Sequence, residues 1–81
     1  MNESQIVMYG TTWCPDCTRA KRFLDQREIQ YKWINVDADQ EGLQLVLRIN
    51  HGKRVVPTIL FPDGSVLVEP SNAELAQKLV K

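Results

Sequence analysis

This sequence predicts an α/β fold, a four-stranded mixed sheet with three helices in the order βαβαββα. Three observations carry the prediction. An apolar run, Ile6-Val7-Met8-Tyr9, leads into Cys14-Pro15-Asp16-Cys17 and a stretch of helical periodicity. A second strand-like segment, rich in aromatic and β-branched residues, follows that helix at residues 31–36, so the first two strands run parallel across a right-handed crossover. Finally, Pro62-Asp63-Gly64-Ser65 is a tight turn between two more runs, which makes the last two strands an antiparallel hairpin.

Each element has a local reason. Ile6 to Tyr9 is uninterrupted and apolar, as expected of a central strand covered on both faces, and Gly10 ends it. From Pro15 to Arg27, Ala20, Phe23 and Leu24 share one face while Arg19, Lys21, Arg22 and Asp25 point outward. Pro15 suits the first helical position, where its missing N–H costs nothing. Tyr31 to Val36 is rich in aromatic and β-branched residues and reads as a second strand. Asp37 and Asp39 can cap a helix from Gln40 to Asn50, with Leu43, Val46, Leu47 and Asn50 at helical spacing, and His51-Gly52 stops it. Val55 to Phe61 is a third strand with Pro57 near its start, and Val66-Leu67-Val68 is the fourth. Ser71-Asn72-Ala73-Glu74 forms a capping box that opens a last helix, with Leu75, Ala76, Leu79 and Val80 inward. Helices on both faces of such a sheet make the architecture thioredoxin-like.

Size and charge narrow the function. Eighty-one residues leave room for one core, so residues 1–81 are expected to form a single domain. Ten basic and ten acidic residues cancel, so no strong field favours nucleic acid or an anionic membrane. No segment approaches the roughly 20 apolar residues of a membrane span. Residues Met1 to Gln5 lack the basic and apolar regions of a secretory signal, so a cytoplasmic location is expected. In that compartment a cysteine pair points to catalysis, redox sensing or metal binding before a structural staple.

Cys14 and Cys17 are the only cysteines. Residues i and i+3 on a helix lie roughly 5–6 Å apart, within the Cα separation a disulfide accepts. Cys14 at the N-cap faces unpaired N–H groups and the positive end of the helix, which favour a thiolate. Cys17, one turn in, should be the less exposed thiol. Cys14 is therefore the expected nucleophile and Cys17 the resolving cysteine. Pro15 and Asp16, between them, are assigned to tuning the acidity of Cys14: the Asp16 charge opposes the thiolate, and Arg19 three residues on can relieve part of that.

Other readings of the pair stay open. It could be two inert buried thiols or a staple. Zinc needs four ligands, and two cysteines with the single His51 supply too few within one chain, so no metal site is assigned. An iron–sulfur cluster bridged between two chains is conceivable, as is a non-catalytic thioredoxin-fold binding module. Trp13 either guards the sulfur or anchors its loop. Trp33 and Tyr9 read as packing, His51 as a solvated loop residue, and Arg19, Lys21 and Arg22 as a wet helix face. Lys53 and Arg54 form a loop pair that could hold a carboxylate.

With those residues placed, the chain resembles the glutaredoxins, and within them the mycoredoxin-like branch. The resemblance runs from Ile6 to Val80. It rests on three blocks: Met8-Tyr9-Gly10-Thr11-Thr12-Trp13-Cys14-Pro15-Asp16-Cys17, Ile49 to Thr58, and Phe61 to Leu67 running into Pro70-Ser71. It implies thiol–disulfide exchange on disulfide-containing proteins or mixed disulfides, by a monomer with no tightly bound cofactor. It also implies a cis Pro57 packed on the active-site disulfide and a Val56 backbone that pairs with substrate. Lys53 or Arg54, with Ser71 and Asn72, match the positions that hold the peptide part of glutathione. Two positions depart from the family pattern: Asp16 stands where Tyr is common, and Glu69-Pro70-Ser71-Asn72 replaces a Gly-Gly pair and an Asp. The electron donor therefore stays open among glutathione, mycothiol, another small thiol or a thioredoxin reductase.

Overall fold

β1 (Ile6–Gly10) runs through the middle of a four-stranded sheet of order β2-β1-β3-β4, in a computed structural model that describes residues 5–79. The other elements are α1 (Pro15–Gln26), β2 (Tyr31–Asn35), α2 (Gln40–Ile49), β3 (Thr58–Leu60), β4 (Val66–Val68) and α3 (Asn72–Leu79). β1 pairs parallel with β2, Ile6 opposite Tyr31 and Gly10 opposite Asn35. It pairs antiparallel with β3, which in turn pairs antiparallel with β4. The predicted βαβαββα order and mixed sheet are both present.

Two cores flank the sheet. On one face Ile6, Met8, Ile59 and Phe61 pack with Ala20, Phe23 and Leu24 of α1 and Leu75 of α3. On the other, Tyr9, Val36 and Val46 of α2 form a smaller cluster, joined by Ile34, Leu43 and Leu60. β1 serves both because successive side chains point to opposite faces. Val80 lies outside the described residues.

Several boundaries differ from the sequence reading. Gly10 is the last residue of β1, not its terminator. Asp39 alone caps α2, its carboxylate accepting from the Gly42 N–H at 2.8 Å, while Asp37 turns elsewhere. α2 ends at Ile49 through a left-handed His51 (φ 57°) followed by Gly52, whose N–H returns to the Leu47 carbonyl at 2.6 Å. The third strand is only three residues long. Pro57 has no N–H to give a ladder, and the Val55 carbonyl is taken by the Thr58 hydroxyl at 2.7 Å, so residues 55–57 leave the sheet as a loop.

The hairpin and the last helix form as predicted. Gly64 (φ 90°) sits in the turn, and Asp63 accepts from both the backbone and the hydroxyl of Ser65. Lys78 of α3 bonds the same Asp63 at 2.9 Å, which holds that carboxyl well below its usual range. The capping box is reciprocal: Ser71 Oγ accepts from the Glu74 N–H, and Glu74 Oε1 accepts from the Ser71 N–H.

Candidate active site

Proline at the first position of α1 places Cys14 at the N-cap and Cys17 two residues inside the helix from Pro15. The Cys14 backbone is extended and its side chain makes no capping bond. Its carbonyl accepts from the N–H and hydroxyl of Thr18, at 3.1 and 3.4 Å, while the thiol takes no part in those bonds. That thiol meets the loop before β3: Cys14 Sγ lies 3.9 Å from the Val56 carbonyl oxygen, and the Val56–Pro57 bond is cis. Neither sulfur is in a disulfide bond.

Burial separates the two thiols. Cys14 is 9% exposed and Cys17 is 0% exposed. Loss of water pushes the Cys17 thiol up to about 11, from an ordinary 9.0. A hydrogen bond from the Thr11 backbone acts against this, while Cys14 and the charge of Asp16 add to it. Gly10 permits that close packing. A Cβ there would stand 2.5 Å from Cys17 Sγ and 2.9 Å from the Trp33 ring.

Hydrogen bonds hold the cis-proline loop against Cys14. Asn50, the residue that closes α2, donates to the Val46 carbonyl at 2.9 Å and to the Thr58 hydroxyl at 3.2 Å. The Pro57 carbonyl accepts from the Glu69 N–H at 2.9 Å. The loop is thereby tied to α2 on one side and to the end of β4 on the other.

Two polar clusters flank the dithiol. On one side Trp13 is 64% exposed, and its indole Nε1 donates to Asp37 Oδ2 at 2.8 Å. Asp37 Oδ1 pairs with the Arg54 guanidinium, whose centre lies 5.8 Å from the Trp13 ring. On the other side Arg19 reaches from α1 to Asn72 Oδ1 at 2.7 Å and the Pro70 carbonyl at 2.9 Å. Asp16 stands 3.6 Å from the same guanidinium.

The fold thus brings Val56, ahead of the cis Pro57, to Cys14, and Arg54 to Trp13, the residue before Cys14. Ser71 and Asn72 approach the start of α1 through Arg19, with Ser71 also used in its capping box and Asn72 bonded to Arg19. Lys53 is exposed beside Arg54. Tyr9 is buried in the smaller core, Trp33 is half-buried under Lys21, whose Nζ lies 4.0 Å from the ring, and His51 is exposed. Sequence reasoning missed Asp37 and Asn50 as parts of the site, and took Arg19 as a partner for Asp16 and part of a wet helix face. Asp37 bonds across 17 and 24 residues, a separation for which local sequence has no signal.

Among the described residues no helix is long and apolar enough to cross a membrane, and no three His, Cys, Asp or Glu side chains gather as a metal site. The chain matches the family model for glutaredoxin over residues 6–66. It is 38% identical to mycoredoxin 1 of Corynebacterium glutamicum, over 94% of each chain. It is 37% identical to a Mycobacterium tuberculosis protein named as a glutaredoxin, over 100% of this chain and 96% of that one. The solved glutaredoxin of Methanosarcina mazei Go1 superposes with a TM-score of 0.80 at 23% identity, covering 98% of this chain and 81% of its own, and so shares the fold. A family match across most of the chain, joined to these identities, places this protein in the glutaredoxin family, as a thiol–disulfide oxidoreductase of the kind that works with low-molecular-weight thiols.

Proposed function

We propose that this protein reduces protein disulfides or protein–small-thiol mixed disulfides with Cys14 as nucleophile and Cys17 as resolving thiol. The observation that carries the assignment is position: Cys14 stands at the N-cap of α1 with its sulfur against the Val56 carbonyl, whereas Cys17 lies inside the helix, fully buried and held as a neutral thiol. The Cys14 thiolate attacks one sulfur of the substrate disulfide. That S–S bond breaks, a mixed disulfide forms on Cys14, and the leaving thiolate takes up a proton. Cys17 then gives up its proton and attacks Cys14, releasing the second substrate thiol and leaving Cys14–Cys17 oxidised. Two electrons from a small thiol such as glutathione or mycothiol, or from a reductase, restore the dithiol. Mycoredoxin 1 among the relatives favours mycothiol as the donor.

The extended substrate lies along the Val56 backbone beside Pro57, with Trp13 as one wall. Lys53, Arg54, Ser71 and Asn72 border the small-thiol site. Residues 1–81 act as one domain, as a monomer in the cytoplasm, on disulfide-containing proteins. Cys14→Ser is expected to abolish turnover of any disulfide. Cys17→Ser is expected to keep turnover of mixed disulfides and lose that of protein dithiol–disulfide pairs. Steady-state assays on one substrate of each kind test this, and turnover retained by Cys14→Ser would overturn the assignment.

A further inference from the structure

The loop after β2 brings a carboxylate to Trp13, the residue before Cys14. β1 and β2 are parallel and end on the same side, and the Val36 N–H extends their ladder to the Gly10 carbonyl at 2.9 Å. Asp37 therefore emerges beside the segment that carries Trp13 and Cys14. Its two carboxylate oxygens are both engaged, one by the Trp13 indole N–H and the other by Arg54. These three side chains come from three separate segments. Both neighbours of Asp37 are joined to Cys14 through the chain: Trp13 directly precedes it, and Arg54 lies two residues before Val56, whose carbonyl meets the Cys14 thiol.

We propose that Asp37 is a specificity-determining residue, whose carboxylate holds Arg54 and Trp13 and so disfavours small thiols that carry carboxylates, relative to thiols with neutral head groups. The inference rests on the small-thiol exchange proposed above. A guanidinium in this place, without Asp37, is a ready partner for a peptide carboxylate. With Asp37 present the pair is neutral, and the position is already filled by an intramolecular group. An incoming carboxylate must displace Asp37 and then sit against its charge, and that repulsion is a means of rejecting a ligand. A neutral, hydroxyl-bearing head group meets a different surface: a carboxylate that accepts its hydroxyls and an exposed indole face beside it. Asp37 touches no reacting atom. It acts through Arg54 and Trp13.

The test isolates the first exchange. In full-length Cys17→Ser protein, the Cys14 sulfur displaces one thiolate from a symmetrical disulfide, forming one mixed disulfide and releasing one thiol, with no other oxidant required. Second-order rates are measured by mass spectrometry with oxidised glutathione, which carries carboxylates, and with bis(2-hydroxyethyl) disulfide, which is uncharged. Adding Asp37→Asn should raise the ratio of the glutathione rate to the hydroxyethyl rate by about fivefold, the effect of one exposed ion pair near the upper end of its range. Asp37→Glu should keep the original ratio. With Arg54→Ala already present, Asp37→Asn should bring less than about half of that gain, because no guanidinium is left to release. An unchanged or lower ratio, or an equal gain without Arg54, would overturn the inference while leaving the cysteine roles intact. Failure of the Cys17→Ser protein to react with either disulfide would overturn those roles and the inference together.

Discussion

Cys17 owes its chemical character to where it is buried. Its thiol is pushed up to about 11, mainly because the thiolate would lose water, and a buried thiol is a poor nucleophile until it gives up its proton. When Cys14 is tied up in a mixed disulfide, its own contribution to that rise is gone, but desolvation remains. A raised value means that the attacking thiolate is scarce at neutral pH and grows as pH rises. The rate at which Cys17 releases a mixed disulfide from Cys14 is therefore expected to climb about tenfold per pH unit from pH 6 to 9. Rapid-quench measurement of thiol release from pre-formed mixed disulfide checks this, and a flat profile would contradict it. At this scale the two cysteines were legible because N-cap and third-position roles follow from the helix start alone. Asp37 and Asn50 were not, since each acts on a partner that only folding brings near.

α1 and α3 are linked at their N-terminal ends by one side chain. Arg19 donates to Asn72 and to the carbonyl of the buried Pro70, whereas its ion pair with the exposed Asp16 is longer, at 3.6 Å. The hydrogen bonds to α3 should therefore matter more than the ion pair. Arg19→Ala is expected to destabilise the protein by about 1–2 kcal/mol, and Asp16→Ala by less than about 0.5 kcal/mol. Urea denaturation of both variants decides the order, and equal midpoints would show that α3 does not depend on Arg19. Element identity was legible wherever a cap or turn residue marks it, as at Ser71-Glu74 and Asp63-Gly64. The third strand was overread because the apolar run from Val55 to Phe61 satisfies a pattern, while the Val55 carbonyl is taken by the Thr58 hydroxyl and Pro57 has no N–H to give.

Across the whole molecule, one sheet separates a larger core from a smaller one, and the dithiol sits at the edge where α1 and the cis-proline loop meet. Leu24 is fully buried in the larger core, between the sheet and the helix that presents both cysteines. Leu24→Ala is expected to cost about 2–5 kcal/mol, since the site cannot close over the lost volume. Thermal unfolding checks it, and a loss under about 1 kcal/mol would mean that the core repacks freely. Helix and strand periodicity, the C-x-x-C spacing and the capping residues are local properties, so the amino-acid sequence alone established the βαβαββα order and the two-sided sheet, and from it comes the expectation that Cys14 attacks and Cys17 resolves. The depth of Cys17, the clasp on the cis-proline loop and the Asp37–Arg54–Trp13 cluster were decided only in three dimensions. Each depends on groups far apart along the chain that meet once β1, β2 and β3 align, and no local pattern records which of several exposed charges will find one another.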